Sequence, residues 1–421
     1  MTKLRWMRAF VAAVGVTLVA VALAACGGDD SATEDEGGGG GEEQSSEPIK
    51  IGAPVDLSGV FAVYGEQQRQ AAELAVKEIN EDGGINGRQV EIVFADAQSD
   101  VQPAVEQVKS LIDREQVDVL IGIVSSAARD AVIPTVARAE KVYIYPTTYE
   151  GGVAEKFSGK GAKYVFTTGP VSEQYISPFM PYLVENYGPK VYILAMDYIY
   201  GTGSAEAAKA ALADAGGEVV GEELVPLGTT DFSAILNRVE QANPDVVYAV
   251  IAGEDLVFLM KQFREFGLDD QGVTFATTEL DESYFENLGA ETVAGTPISL
   301  PYFVVMDNEE NQRWLEAMRA EYGEDYVPGL AAESMYYSVK LFAEAAKNAG
   351  SIEPDALIAA LEETSIETPQ GEVSIRKEDH QAIMGNAIAI VEPDPSVPPY
   401  EWVKIQETFD RIEPSVQGSA E

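Results

Sequence analysis

The sequence predicts an α/β protein of two doubly wound parallel-sheet lobes. Strand-like apolar runs alternate with helical runs of about 10–15 residues, the pattern of βαβ units. The series occurs twice in tandem, over 50–145 and again over 191–277. The length, 421 residues, corresponds to two or three domains at roughly 150 residues each.

The first series opens with KIGAPV (50–55), an apolar run that ends in a Ser58-Gly59 turn. Over 64–82, Ala71, Leu74, Ala75 and Ile79 fall at helical spacing, and Gly83-Gly84 ends the helix. Val90, Ile92 and Phe94 alternate as in a strand. Val105, Val108, Leu111 and Ile112 then repeat with helical period. Residues 117–124 are almost continuously apolar, as in a strand buried on both faces. A helix follows Ser125-Ser126, and 142–145 is the next strand. In the second series, strands at 191–196, 218–225, 245–251 and 273–277 alternate with helices at 204–215, 232–241 and 255–266. Further helices are predicted over 310–322 and 331–350.

Open parallel sheets bind ligands beyond the carboxyl ends of their strands. The segments to read are therefore 56–58, 125–126, 145–149, 197–200, 252–254 and 277–279. They are rich in Tyr, Ser and Thr and hold no Lys, Arg or His. Such groups suit a small, polar, neutral ligand, because hydroxyls both donate and accept and tyrosine rings exclude water.

Composition removes several alternatives. With 28 Lys+Arg against 70 Asp+Glu, the net charge of −42 repels phosphate backbones and excludes a nucleic-acid partner. A 46% hydrophobic content excludes global disorder. One Cys (Cys26) and one His (His380) argue against a disulfide framework, a zinc site or a histidine-based nucleophilic dyad. G-x-S-x-G, P-loop and H-E-x-x-H motifs are absent. Gly201-Thr202-Gly203 starts like a dinucleotide fingerprint, but Glu206 occupies the third glycine position, so the stretch reads as a turn. His380, within RKEDHQ, reads as a surface residue. No pair of carboxylates is singled out by spacing, and neither a cofactor nor a metal is expected.

The first 25 residues carry Lys3, Arg5 and Arg8 ahead of an uncharged apolar run over 9–25. The run closes Leu23-Ala24-Ala25-Cys26, which resembles the lipobox of bacterial lipoproteins. The resemblance implies cleavage before Cys26, lipidation of its thiol, and anchoring at the extracytoplasmic face of the membrane. A plain secretory signal or an anchor helix is the alternative. Residues 26–47 read as the acylated Cys and a flexible acidic, Gly-rich linker, reaching on the order of 25 Å.

From 48 to about 413 the chain resembles the type I periplasmic solute-binding proteins of the branched-chain amino-acid, amide and urea group. The general marks are IGAPVDLSGVFAVYGEQQRQAAELAVKEINEDGGINGRQVEIVFADAQSD (51–100) and VDVLIGIVSSAARDAVIPTV (117–136). YPTTYEGG (145–152), MDYIYG (196–201), ATTELDE (276–282) and TPQGEVSI (368–375) resemble the urea and short-chain amide subgroup. The resemblance implies a receptor of an ABC importer, not an enzyme, that closes two lobes over urea or a short amide and meets permease subunits. It implies that Ser126, with Ser125, holds the ligand from the Ser-Ser turn. Tyr145 would be an aromatic wall and Thr147 a hydrogen-bonding group. Tyr198, Tyr200 and Thr278 would face them from the other lobe, joined by Thr277 and Glu279. Tyr149 and Glu150 would stand behind. Packing in the lobe interface is the alternative for each Tyr, and a surface or hinge ion pair for Glu150.

The same resemblance implies a hinge of several crossings, with lobe one at 48–167 plus 300–367 and lobe two at 168–299 plus 368–415. The tail after Glu413, with 416–421 outside both lobes, reads as disordered. A branched-chain or other amino acid remains the alternative ligand, with the Ser-Ser turn on its carboxylate and Glu279 or Asp281 on its ammonium. A regulatory amide sensor is a second alternative.

Overall fold

The computed structural model describes residues 47–159 and 161–420, all within one compact unit. The signal segment, Cys26 and the linker up to Ser46 lie outside the described residues. Among the described residues no helix is long and apolar enough to cross a membrane.

The chain begins β1 (Ile49–Val55), α1 (Ala62–Glu81), β2 (Val90–Asp96), α2 (Val101–Asp113), β3 (Val119–Ile121), α3 (Ser126–Arg138), β4 (Val142–Tyr145), α4 (Val153–Phe157) and β5 (Val165–Thr167). It continues α5 (Ser172–Tyr175), α6 (Phe179–Tyr187), β6 (Lys190–Met196), α7 (Ile199–Asp214), β7 (Glu218–Val225), α8 (Ser233–Ala242), β8 (Val246–Val250), α9 (Glu254–Glu265) and β9 (Thr274–Thr277). Next come α10 (Phe285–Leu288), α11 (Ala290–Val293), β10 (Pro297–Leu300), α12 (Glu309–Tyr322), α13 (Leu330–Ala349) and α14 (Pro354–Leu361). It closes with β11 (Ser365–Thr368), β12 (Gly371–Ile375), β13 (Ala382–Val391) and β14 (Val403–Ile412).

The first lobe holds a five-stranded parallel sheet in the order β2-β1-β3-β4-β5. The second sheet runs β11-β12-β13-β10-β9-β8-β6-β7, with β14 antiparallel to β13. Side chains alternate between the faces of each strand, so each sheet buries two separate cores. On β4, Val142 and Ile144 join α1 and α13 on one face, and Tyr143 and Tyr145 join α2 and α3 on the other. On β8, Val247 and Ala249 face α9, and Val246, Tyr248 and Val250 face α6 and α7. These covered faces are the doubly wound architecture read from the sequence.

The chain passes between lobes three times: after β5, after β10, and between β12 and the middle of β13. Leu300 sits in a second-lobe core but Tyr302 in a first-lobe core, and Met384 and Ala387 are divided in the opposite order. The third crossing falls at 376–386 rather than near 367, because Val373 and Ile375 pack into the first lobe.

Four local readings change. The apolar run 117–124 is a strand only over Val119–Ile121. Gly122 and Ile123 turn to φ 144° and 70°, and a β-branched residue there is strained. Gly201-Thr202-Gly203 is no turn but the first part of α7. A Cβ at Gly201 would collide with the Met196 carbonyl, just as one at Gly65 would collide with the Asp56 carbonyl. Each glycine lets a helix start directly against the strand before it. His380 is not at the surface. It is 1% exposed, stacks on Phe166 with centroids 4.0 Å apart, and sets Nε2 3.1 Å from Glu362. Burial lowers its pKa against the opposing pull of Glu362. Residues 414–420, read as disordered, are hydrogen-bonded to Gly152 of the first lobe and Glu173 of the second.

Candidate ligand-binding site

The strand ends of both sheets meet across a cavity of about 60 Å³. The first lobe contributes Phe61 and Tyr64 from the start of α1, and Val124, Pro146, Thr147 and Thr148 from the ends of β3 and β4. Leu330, Ala331 and Ser334 come from the first turns of α13. The second lobe contributes Tyr198, Tyr200, Ala252, Thr278, Glu279, Asp281 and Leu300. The wall is part apolar and part hydroxyl, with two carboxylates and no cationic side chain.

Of the predicted residues, Thr147, Tyr198, Tyr200, Thr278 and Glu279 line this cavity. Ser125, Ser126, Tyr145, Tyr149, Glu150 and Thr277 do not. Tyr145 is fully buried and donates to the Val124 carbonyl at 2.7 Å. Its strand parity aims the ring at α3, so it forms no wall of the cleft. Thr277 donates to the Ala249 carbonyl at 2.8 Å and accepts from the Glu279 amide at 3.0 Å. It therefore positions Glu279. Ser125 caps α3 through the Ala128 amide at 3.4 Å, leaving the amides of Ser126 and Ala127 for groups beyond the helix.

Tyr149 belongs to the hinge. Its hydroxyl bonds Gln381, which also accepts from Thr167 at 2.9 Å. Glu150 pairs with Arg129 at 2.6 Å. That guanidinium is 1% exposed, also pairs with Asp130 at 2.7 Å, and lies 5.0 Å from the Tyr145 ring centre and 5.1 Å from that of Tyr149. The Arg129 cluster thus fixes the start of α3 against the loop after β4.

The hydroxyl protons in the cleft are largely committed to the protein. Thr147 donates to the carbonyl of strained Ile123 at 2.8 Å and accepts from Gln68 at 3.1 Å. Tyr200 donates to Glu279 Oε1 and accepts from Tyr175 at 3.3 Å. Thr278 lies 3.1 Å from the Tyr248 hydroxyl and 3.4 Å from Glu279 Oε1. Toward the cavity these groups present oxygen lone pairs and a carboxylate.

Burial pushes the Glu279 carboxyl up to about 8, with Asp281 adding to the rise and the bonds from Tyr200 and Thr278 opposing it. Burial also raises Asp281, although Ser283 N–H at 3.0 Å and Leu330 N–H at 3.1 Å satisfy its oxygens. The strand-end segments hold no Lys, Arg or His, so a neutral guest meets no fixed cation there. The cleft does contain a carboxyl, Glu279, whose pKa burial raises to about 8.

Strand-end reasoning missed Phe61, Tyr64 and the α13 residues. Tyr64 lies in the helix after the first strand-end loop, and its hydroxyl accepts from Gly253 N–H at 3.0 Å and Tyr284 O–H at 2.7 Å, both on the facing lobe. The VYGE stretch around it was the available signal. The α13 start follows a loop rather than a strand, so no strand-end rule reaches it.

Residues 48–395 match the family described as periplasmic binding protein. The leucine-, isoleucine-, valine-, threonine-, and alanine-binding protein of Pseudomonas aeruginosa is 26% identical over 336 residues, covering 78% of this chain and 85% of that protein. The Leu/Ile/Val-binding protein homolog 4 of Brucella melitensis is 28% identical over 357 residues, covering 80% and 82%. Among solved structures, an ABC transporter substrate-binding protein from Sphaerobacter thermophilus is 27% identical with a TM-score of 0.76, covering 89% of this chain and all of that one. A Rhodopseudomonas palustris solute-binding protein in complex with 4-hydroxybenzoate shares the fold at a TM-score of 0.78 and 24% identity, covering 86% and 97%. The two-lobed fold, the cleft at the strand ends and the match over 48–395 agree: this chain belongs to the periplasmic binding protein family, the extracytoplasmic solute-binding receptors of ABC transporters.

Proposed function

We propose that the cleft binds a small amino acid, its ammonium on Glu279 and its carboxylate toward the start of α3. The observation that carries this reading is Glu279 itself. A buried carboxylate without a cation is costly, and burial holds this one at about 8. A ligand ammonium supplies the missing partner through a charge-assisted hydrogen bond. Lone pairs of Thr147 and Tyr200 accept further N–H groups. The ligand carboxylate faces the positive end of the 13-residue helix α3, which begins just after the cavity-lining Val124. Phe61, Leu300 and Leu330 surround a short aliphatic side chain. The named substrates of the Pseudomonas relative, small aliphatic amino acids and threonine, fit that description. A benzoate, as in the R. palustris complex, brings a carboxylate and no ammonium, which Glu279 opposes.

Urea or a short amide is the second reading. Hydroxyl-rich walls suit a small neutral ligand, and a protonated Glu279 could donate to its carbonyl. Under either reading the closed lobes are the form a permease recognises, and Cys26 tethers the receptor to the membrane.

Titration calorimetry on residues 46–421 tests the choice. Heats with alanine, threonine or leucine, and none with urea or acetamide, are expected. The reverse pattern would transfer the assignment to the amides.

A further inference from the structure

Residues 414–420 leave the end of β14 in the second lobe and run back across the third crossing. Arg376, on that crossing, donates to the Pro414 carbonyl and, at 3.2 Å, to the Ser415 carbonyl. The same guanidinium makes a two-pronged bond to Asp379, at 2.8 Å for each prong. Asp379 in turn accepts the Gln417 amide at 3.1 Å. The Ser415 amide donates to Glu173, on the first helix of the second lobe, at 2.6 Å. The Ala420 amide reaches the Glu378 carbonyl at 2.8 Å.

Gln417 is the residue that touches both lobes. Its Oε1 accepts from the Gly152 amide, in the first-lobe loop after β4, and its Nε2 lies 3.4 Å from Glu173 in the second lobe. The contact is close enough that a Cβ on Gly151 would collide with the Gln417 amide, and one on Gly418 would collide with the backbone of Glu155. The loop held in this way also carries Glu150, the partner of Arg129 at 2.6 Å, and Tyr149, bonded to Gln381.

We propose that segment 414–420 is a brace across the hinge, with Gln417 as its clamp, that holds the two lobes in the closed arrangement, in which Tyr64 bonds Gly253 and Tyr284 of the facing lobe. The crossings are cross-linked through Tyr149, Gln381 and Thr167. The brace adds hydrogen bonds beside them that opening would break. Gln417 and Arg376 are positioning residues in this device; neither lines the ligand cavity. The proposal does not depend on the identity of the ligand.

Pulsed electron–electron resonance without ligand tests it. Spin labels at V63C and L227C, two exposed positions beside the strand ends of the two lobes, report the width of the cleft. Residues 46–421 contain no native Cys, since the single Cys is Cys26. Losing one bridging side chain should raise the open-to-closed ratio about fivefold. Gln417→Ala should therefore move population to longer distances, and Arg376→Lys, which loses the fork, should do the same. An unchanged distance distribution in both variants would overturn the proposal, including the case in which melting temperature falls, because the contacts would then be merely structural.

Discussion

Raising the pH from 6 to 8 is expected to tighten amino-acid binding about 50-fold. The perturbation acts on Glu279, whose carboxyl burial holds at about 8. From that value, about 1% is ionised at pH 6, about 9% at pH 7 and half at pH 8. An ammonium binds the ionised form, so affinity follows that fraction, and the change corresponds to about 2.3 kcal/mol. Binding at pH 7 should release about 0.9 proton per ligand. The assay is calorimetry with alanine or threonine in phosphate and in Tris, whose ionisation heats differ, at each pH. Glu279→Gln should abolish the pH dependence and weaken binding at pH 8 by about 10- to 100-fold. A neutral amide predicts the opposite sign, with affinity level below pH 8 and falling above it. Amino-acid affinity that is flat with pH, with no proton released, would refute the assignment of the ammonium to Glu279.

Three further outcomes are expected. Glu279, Asp281, Glu282 and Glu333 are all buried with raised pKa values, so the folded state binds more protons than the unfolded one. For Glu279 this lowers stability progressively between pH 4.5 and about 8. Thermal melts of the unliganded protein should therefore show a lower Tm at pH 8 than at pH 5.5, and saturating amino acid should narrow the gap. Arg129→Ala strands Glu150, while Asp130 keeps Lys156, and should cost about 3–5 kcal/mol in urea unfolding, with Arg129→Met/Glu150→Gln recovering part of it. Tyr64→Phe removes the acceptor shared by Gly253 and Tyr284 across the cleft, and stopped-flow should show ligand dissociation faster by about five- to tenfold.

The limits of the sequence reading follow the range of the interactions involved. Thr147, Tyr198, Tyr200, Thr278 and Glu279 were legible because each follows a strand whose apolar period is local, and strand ends in doubly wound sheets converge on one edge. Tyr145 was placed in the right strand but on the wrong face. The strand was read at 142–145, as observed, but its last residue was also assigned to the cleft, and strand parity turns that ring inward. His380 sits in a charged stretch, but the third crossing lays it on Phe166, 214 positions earlier in the chain.

By itself the sequence determined the two-lobed α/β architecture, the edge at which a ligand meets it, and most of the polar groups on the second-lobe side. These depend on periodicities within a few residues of one another, which side-chain geometry imposes on any chain of this pattern. Tertiary structure alone decided that α1 and the distant start of α13 share one cavity, and that hydroxyl protons in it are spent on backbone carbonyls and Glu279. It also decided that Glu279 is dry enough to titrate near neutrality, and that residues 414–420 tie one lobe to the other. Each of those outcomes requires knowing which distant group fills the space beside a residue, and local periodicity carries no information about that.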